Sequence, residues 1–262
     1  MKRYLRLYWY FFKNCLVREM EFRTHFLFSN LVSLSWAILF IFAFVIIYGH
    51  VEAVNGWTQQ QMILLLAVYF LSDRIFDTFF EINFGDFVYL VNKGDLDLVL
   101  TKPVSAQFVV SLRRISFSFL LSLLAMLGLV VYLANANFGP ITLLQWLMFT
   151  VLIISGVVIS YSLWFMSLLP VFWWGRVENI HHLFRFFHQL TRIPLDITGP
   201  VLRPLLTYLL PLIFVVTVPA QSLIGTLNWT LVVFGLAAAI FLLWLSRQAW
   251  QFSLKHYGSA SS

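Results

Sequence analysis

The sequence predicts an all-α polytopic membrane protein: six transmembrane helices, an N-terminal interfacial helix and a short cytoplasmic helix between the second and third spans. Three observations carry this. Of 262 residues, 61% are hydrophobic and only 11% charged, whereas a soluble domain carries about 45–50% apolar and about 25% charged residues. Several apolar runs reach the roughly 20 residues that cross a bilayer. All 17 Lys and Arg fall in the N-terminal segment, in 73–114, in 175–203 or in the C-terminal tail, and the stretches 49–57, 135–140 and 225–228 have none. With six spans that alternation follows the positive-inside pattern and puts both termini in the cytoplasm.

Residues 2–24 mix charge with aromatics. Leu5, Tyr8, Trp9, Phe12, Leu16 and Met20 recur at helical spacing, while Lys13, Arg18, Glu19 and Arg23 fall largely elsewhere. Such a segment is too charged to span cheaply. It suits a helix lying on the inner leaflet with its aromatics at headgroup depth. It does not read as a cleavable signal, which would have a short apolar core ending in small residues.

The first span is 26–48 and the second about 60–80. The second half of that span carries Asp73, Arg74, Asp77 and Glu81. Asp73 and Asp77 share a face, and Arg74 can pair with Asp77 at a spacing of three. Three acids and a base deep in lipid are expensive, so the favoured reading is that the helix emerges near Ser72. The other reading is a polar lining for a path. Residues 82–108 then form a loop with a turn at Asn92-Lys93-Gly94-Asp95. The apolar run Leu96, Leu98, Val99, Leu100 predicts a short surface helix closed by Lys102-Pro103.

The third span is 109–134 and the fourth 141–169, the latter long enough to need a tilt or a break near Gly156. Residues 175–203 hold Arg176, Glu178, Arg185, Arg192 and Arg203, with a short amphipathic helix over 179–190 in which Glu178 can pair with Arg185 or Arg176. Residues 205–224 contain Pro211 and Pro219, which predicts either a kinked fifth span or two half-helices. The last span is 229–246.

The net charge of +6 flanks apolar runs, so it points to a membrane surface and not to nucleic acid. The single cysteine, Cys15, allows no internal disulfide. There is no Walker motif, HExxH or GxSxG. His181, His182 and His188 are the only histidine cluster, and no clear set of acidic ligands accompanies them. No filter-like motif or internal repeat marks a channel or an ion-coupled transporter. A helical permease with its energy source elsewhere remains.

Three segments then resemble the permease subunits of bacterial ATP-binding-cassette exporters of the second type, in the six-span branch of about 260 residues. Gly94 to Ser105, GDLDLVLTKPVS, is similar to the family's GxLDxxLxxPxS between spans two and three. Pro194 through Leu205 to Pro211, Pro219, Ala220 and Leu223 is similar to its IP…LR…LP…PA…L pattern. Trp250 to Ser259 is similar to its terminal W…L..Y.SA. Lys102 stands where arginine is expected, and His256 where a basic residue is expected.

The resemblance implies the following. Two permease chains, identical or different, pair around a central path, and each receives a separate ATPase subunit on its cytoplasmic face. ATP and Mg belong to that partner, and this chain needs no cofactor of its own. The 87–103 segment is the coupling element, with Gly94, Asp95, Leu96, Asp97, Leu100, Lys102 and Pro103 as its residues and an apolar peg around Leu96 and Leu100. Pro204, Tyr208, Pro211, Pro219 and Gln221 mark a region of the path or a re-entrant segment. The location is the bacterial inner membrane, with lipids as further partners, and export is the expected direction. A membrane-embedded enzyme using His181, His182 and His188, or a membrane scaffold without transport, stand as the alternatives.

Overall fold

The structure is a computed structural model. It describes residues 2–21, 23–175 and 178–258, with backbone alone at 23, 178–183 and 196. Helix α1 (Lys2–Glu21) carries apolar residues on two sides. Cys15, Tyr8 and Phe12 pack inward against Ile115 and Phe117, while Leu5, Trp9 and Met20 stay exposed. That division suits a helix wedged between the protein and the headgroups. Helix α2 (Arg23–Tyr48) follows, largely uncovered by the rest of the chain. A two-residue hairpin, β1 (Ala53–Val54) with β2 (Trp57–Thr58), turns the chain. Its corner is Asn55-Gly56, both at positive φ, as the favoured hairpin turn requires.

Helix α3 (Gln59–Phe76) starts on a capping box in which Thr58 and Gln61 satisfy each other's backbone amides. It does not stop at Ser72. A π-helical turn at Asp77–Glu81 carries it directly into α4 (Ile82–Lys93). The whole forms one helical rod of about 50 Å. Gly94, in the left-handed region at φ 77°, ends it. Residues 82–93 are therefore helix and not loop, which corrects the first half of the predicted 82–108 loop. The predicted turn at 92–95 and the short helix after it are present, the latter as α5 (Leu96–Leu100).

Helix α6 (Ala106–Leu112), capped by Ser105, ends before a non-helical stretch at 113–116. After a 3-10 turn the chain enters α7 (Leu120–Phe138). The predicted third span, 109–134, is thus broken near its start. Asn83 fills the break: its Nδ2 donates to the Phe79 and Arg114 carbonyls, and its Oδ1 accepts from the Arg114 amide at 2.8 Å. Helix α8 (Leu143–Leu168) runs without interruption through Gly156. Short helices α9 (Val171–Trp174) and α10 (Glu178–Gln189) follow.

The 205–224 region is not one continuous helix. Helix α11 (Gly199–Pro204) runs into a π turn at Leu205–Leu209, and α12 (Thr217–Ile224) begins only after a stretch, 210–216, that is buried from Pro211 on and holds one 3-10 turn. Of the two predicted forms, the structure has the broken one. Helix α13 (Trp229–Leu254) closes the fold and extends past the predicted end at 246.

Among the described residues, four helical segments are long and apolar enough to cross a membrane: Thr24–Tyr48, Phe117–Phe138, Leu143–Trp174 and Trp229–Leu254. The chain is thus a mostly helical, multi-pass membrane protein. Its main core lies where α3, α7, α8, α12 and α13 meet. Phe214 is the keystone there. A Cβ on Gly156 of α8 would lie 2.6 Å from the Phe214 carbonyl oxygen, and a Cβ on Gly235 of α13 would lie 2.4 Å from its ring. Gly156 is not a helix break. It and Gly235 let the broken segment pack directly against two long helices.

Candidate functional site

Two regions concentrate chemistry. The first is built on α5. Its five residues form about one turn and a half, so Leu96 and Val99 share one side, Leu98 points the opposite way and Leu100 lies at the edge of the Leu96 side. Leu96 is 0% exposed and packs, with Val99, into a second core of Phe84, Phe87, Val109, Phe165 and Trp250. Leu98 is 66% exposed and Leu100 37%. The peg expected around Leu96 and Leu100 is therefore corrected. Leu96 roots the helix, and the apolar residues that project are Leu98 and Leu100.

Asp95, Lys102 and Pro103 are exposed around them, and Gly94 and Asp97 are half-buried. The C-terminal tail reaches this site. Burial and the neighbouring Asp97 carboxylate push the Tyr257 phenol above its ordinary value. The start of α1 reaches it too, since the Ser105 amide donates to the Tyr4 hydroxyl at 3.2 Å. Between α1 and α4–α6 lies an open cavity of about 810 Å³, lined among others by Arg18, Asp86, Lys102, Arg113 and Arg114. Arg114 places Nη1 2.6 Å and 2.8 Å from the two Asp86 oxygens, and Arg113 comes within 3.5 Å.

The second region is an ionic cluster at the π turn. Asp73 and Asp77 are 8% and 4% exposed, so they do not emerge into water as expected. Arg74 bridges them, at 2.6 Å from Asp73 and 3.0 Å from Asp77, the latter pair being the one that the spacing predicts. Its Nη1 also donates to Ser33 of α2 at 2.7 Å. Arg185 of α10 pairs with Asp77 at 3.0 Å and with Glu81. The expected pairing of Glu178 with Arg185 or Arg176 is untested, because the side chain of Glu178 and all of Arg176 lie outside the described residues. His188 is buried, with Nδ1 3.7 Å from Asp73. Arg192 lies over the rings of Phe40, at 4.5 Å, and Tyr69.

Depth follows from α2. At about 1.5 Å per residue, Ser33 and Phe40 lie roughly 14 and 24 Å along the span that begins at Thr24. The cluster is therefore level with the interior of that span. Sequence reasoning favoured emergence because the partners that make burial tolerable, Arg185 and His188, lie more than 100 residues away. The one available signal was the number of arginines in 175–203.

The predicted path residues divide between the surface and the core. Pro204 and Tyr208 are exposed, Tyr208 packing edge-on against Phe234 of α13. Pro211 and Pro219 are buried in the main core and Gln221 is half-buried. None of them lines the cavities described here. The side chains of His181 and His182 lie outside the described residues, and His188 packs against Tyr69, Phe76 and Phe184. Among the described residues no group of three or more His, Cys, Asp or Glu could hold a metal ion.

The decisive comparison is with protein-family models. Residues 34–261 match the model described as ABC-2 family transporter protein. The chain belongs to the ABC-2 transporter family. The match covers everything from the middle of α2 to the tail and leaves α1 outside. No curated protein and no solved structure matches the chain. As an ABC-2 family protein, the chain is a membrane protein of the permease type, in keeping with a role in translocation, and permeases of this family typically pair with ATPase subunits.

Proposed function

We propose that the chain is the permease subunit of an ATP-driven exporter of the bacterial inner membrane, and that it forms half of the translocation path. It spans the membrane six times. The four long apolar helices supply four crossings. The α3 rod and the broken 205–224 segment supply the other two. Both termini are then cytoplasmic, as the distribution of Lys and Arg requires. A second permease chain, identical or different, completes the path, and a separate ATPase subunit docks on each cytoplasmic face.

The observation that carries this reading is the construction of α5. It is a short helix held at its root by Leu96 and Val99, with Leu98 and Leu100 outward. A hydrophobic contact ringed by Asp95 and Lys102 suits a groove on a soluble partner. Its root packs against Phe87 of α4, which is continuous with the rod that carries the ionic cluster. Motion imposed on α5 thus reaches the membrane interior through one rigid element. Gly94 joins the rod to α5, and its left-handed backbone suits the sharp turn between them.

The test is purification of the tagged chain in mild detergent, with identification of the co-purifying subunits. The reading expects an ATP-hydrolysing subunit and at least two permease chains per complex. A chain that purifies without any ATPase from membranes of its native host would overturn it.

A further inference from the structure

Beside the ionic cluster lies a lateral groove of about 640 Å³ that the transport reading above does not use. It runs between α2 and α3 and is closed by Arg185 and Arg192. One side is aromatic, with Trp36 and Phe40 from α2 and Phe70 from α3. The other is cationic, with Arg74, Arg185 and Arg192, against a single lining acid, Asp73. Because α2 is largely uncovered, the groove is open towards the lipid.

The charges are unevenly satisfied. Asp73 is taken by Arg74, and Arg185 is taken by Asp77 and Glu81. Arg192 pairs with no carboxylate in any described ion pair, and its Nε is buried without a hydrogen-bond partner. Its guanidinium lies over Phe40 and Tyr69 and hydrogen-bonds to Tyr69, but a cation level with the interior of a span remains costly without a counter-charge. Basic pockets between membrane helices are suited to acidic headgroups, and the volume is in the range of sites that enclose small ligands.

We infer that this groove binds an amphipathic anion, its phosphate or carboxylate paired with Arg192 and its apolar tail laid along Trp36, Phe40 and Phe70. The anion is either a bilayer lipid with an acidic headgroup or a free amphipath that enters from the side. Recognition needs only one negative charge on an apolar chain. It depends on the membrane setting of α2 and α3 and not on the docking of an ATPase, so the failure of one reading leaves the other standing.

The test uses the full chain in nanodiscs and the quenching of Trp36 by brominated lipid. The Trp36 signal is the difference between the wild type and Trp36→Phe. Brominated phosphatidylglycerol should quench it at lower mole fraction than brominated phosphatidylcholine. Arg192→Gln should weaken that preference about tenfold, the loss of one charge-assisted contact, while Arg192→Lys retains most of it. If dodecyl phosphate protects Trp36 in phosphatidylcholine discs where phosphatidylglycerol shows no preference, the occupant is a free amphipath and the inference stands. Equal quenching by both lipids with no protection by dodecyl phosphate would overturn it, as would an Arg192→Gln variant that elutes as a folded protein and keeps the full preference.

Discussion

Arg185 places Nη2 3.0 Å from Asp77 Oδ1 across 108 residues of chain. That contact fastens α10 to the π turn in the middle of the α3–α4 rod. A π turn widens the helix locally and is found at functional sites more often than elsewhere. Here it carries at one end a carboxylate, Asp77, that Arg74 and Arg185 share, and at the other Glu81, which Arg185 also reaches.

Removing one partner leaves an uncompensated charge inside the protein. Arg185→Gln should therefore destabilise the chain by on the order of 3 kcal/mol. Asp77→Asn combined with Arg185→Gln should cost less than the sum of the two single changes, because the residues share one network. Unfolding in detergent, followed by thermal shift, reads both.

Phe214 gives a prediction of packing. Gly235→Ala drives a methyl group into the Phe214 ring, and Gly156→Ala drives one into its backbone. Each should cost about 1–3 kcal/mol. Phe214→Leu should relieve the first, because a side chain can yield. It should not relieve the second, because the carbonyl oxygen cannot. The same thermal assay distinguishes the two cases.

Asn83 spans the break before α7 with three hydrogen bonds to backbone. Asn83→Ala leaves the part-buried amide and carbonyl of Arg114 without these partners. A loss of about 1–3 kcal/mol is expected, with faster hydrogen exchange at 113–116.

How much of this was legible in the sequence depends on range. Local signals were readable. The apolar runs of α2, α8 and α13, the turn at Gly94 and the interruption at Pro211 and Pro219, left open between a kink and two half-helices, all rest on nearby residues. The rod from 59 to 93 was not readable. Asp73, Arg74, Asp77 and Glu81 look like the end of a span unless Arg185 and His188 are known to meet them, and that meeting is tertiary. Leu96 and Leu98 were likewise indistinguishable in an apolar run, because which side of α5 is rooted depends on Phe87 and Trp250. The role of α5 itself came from the resemblance of GDLDLVLTKPVS to a family motif, and periodicity alone would not have supplied it.

On the proposed function, α5 is the face on which a separate ATPase sits. A photo-crosslinking amino acid at position 98, in otherwise wild-type chain and in native membranes, tests it most directly. A covalent adduct with an ATP-binding subunit is expected, absent when the same group stands at position 243 on the exposed side of α13, and lost when Leu100→Asp is added. The absence of an ATPase adduct from position 98, with the chain folded and inserted, would contradict it.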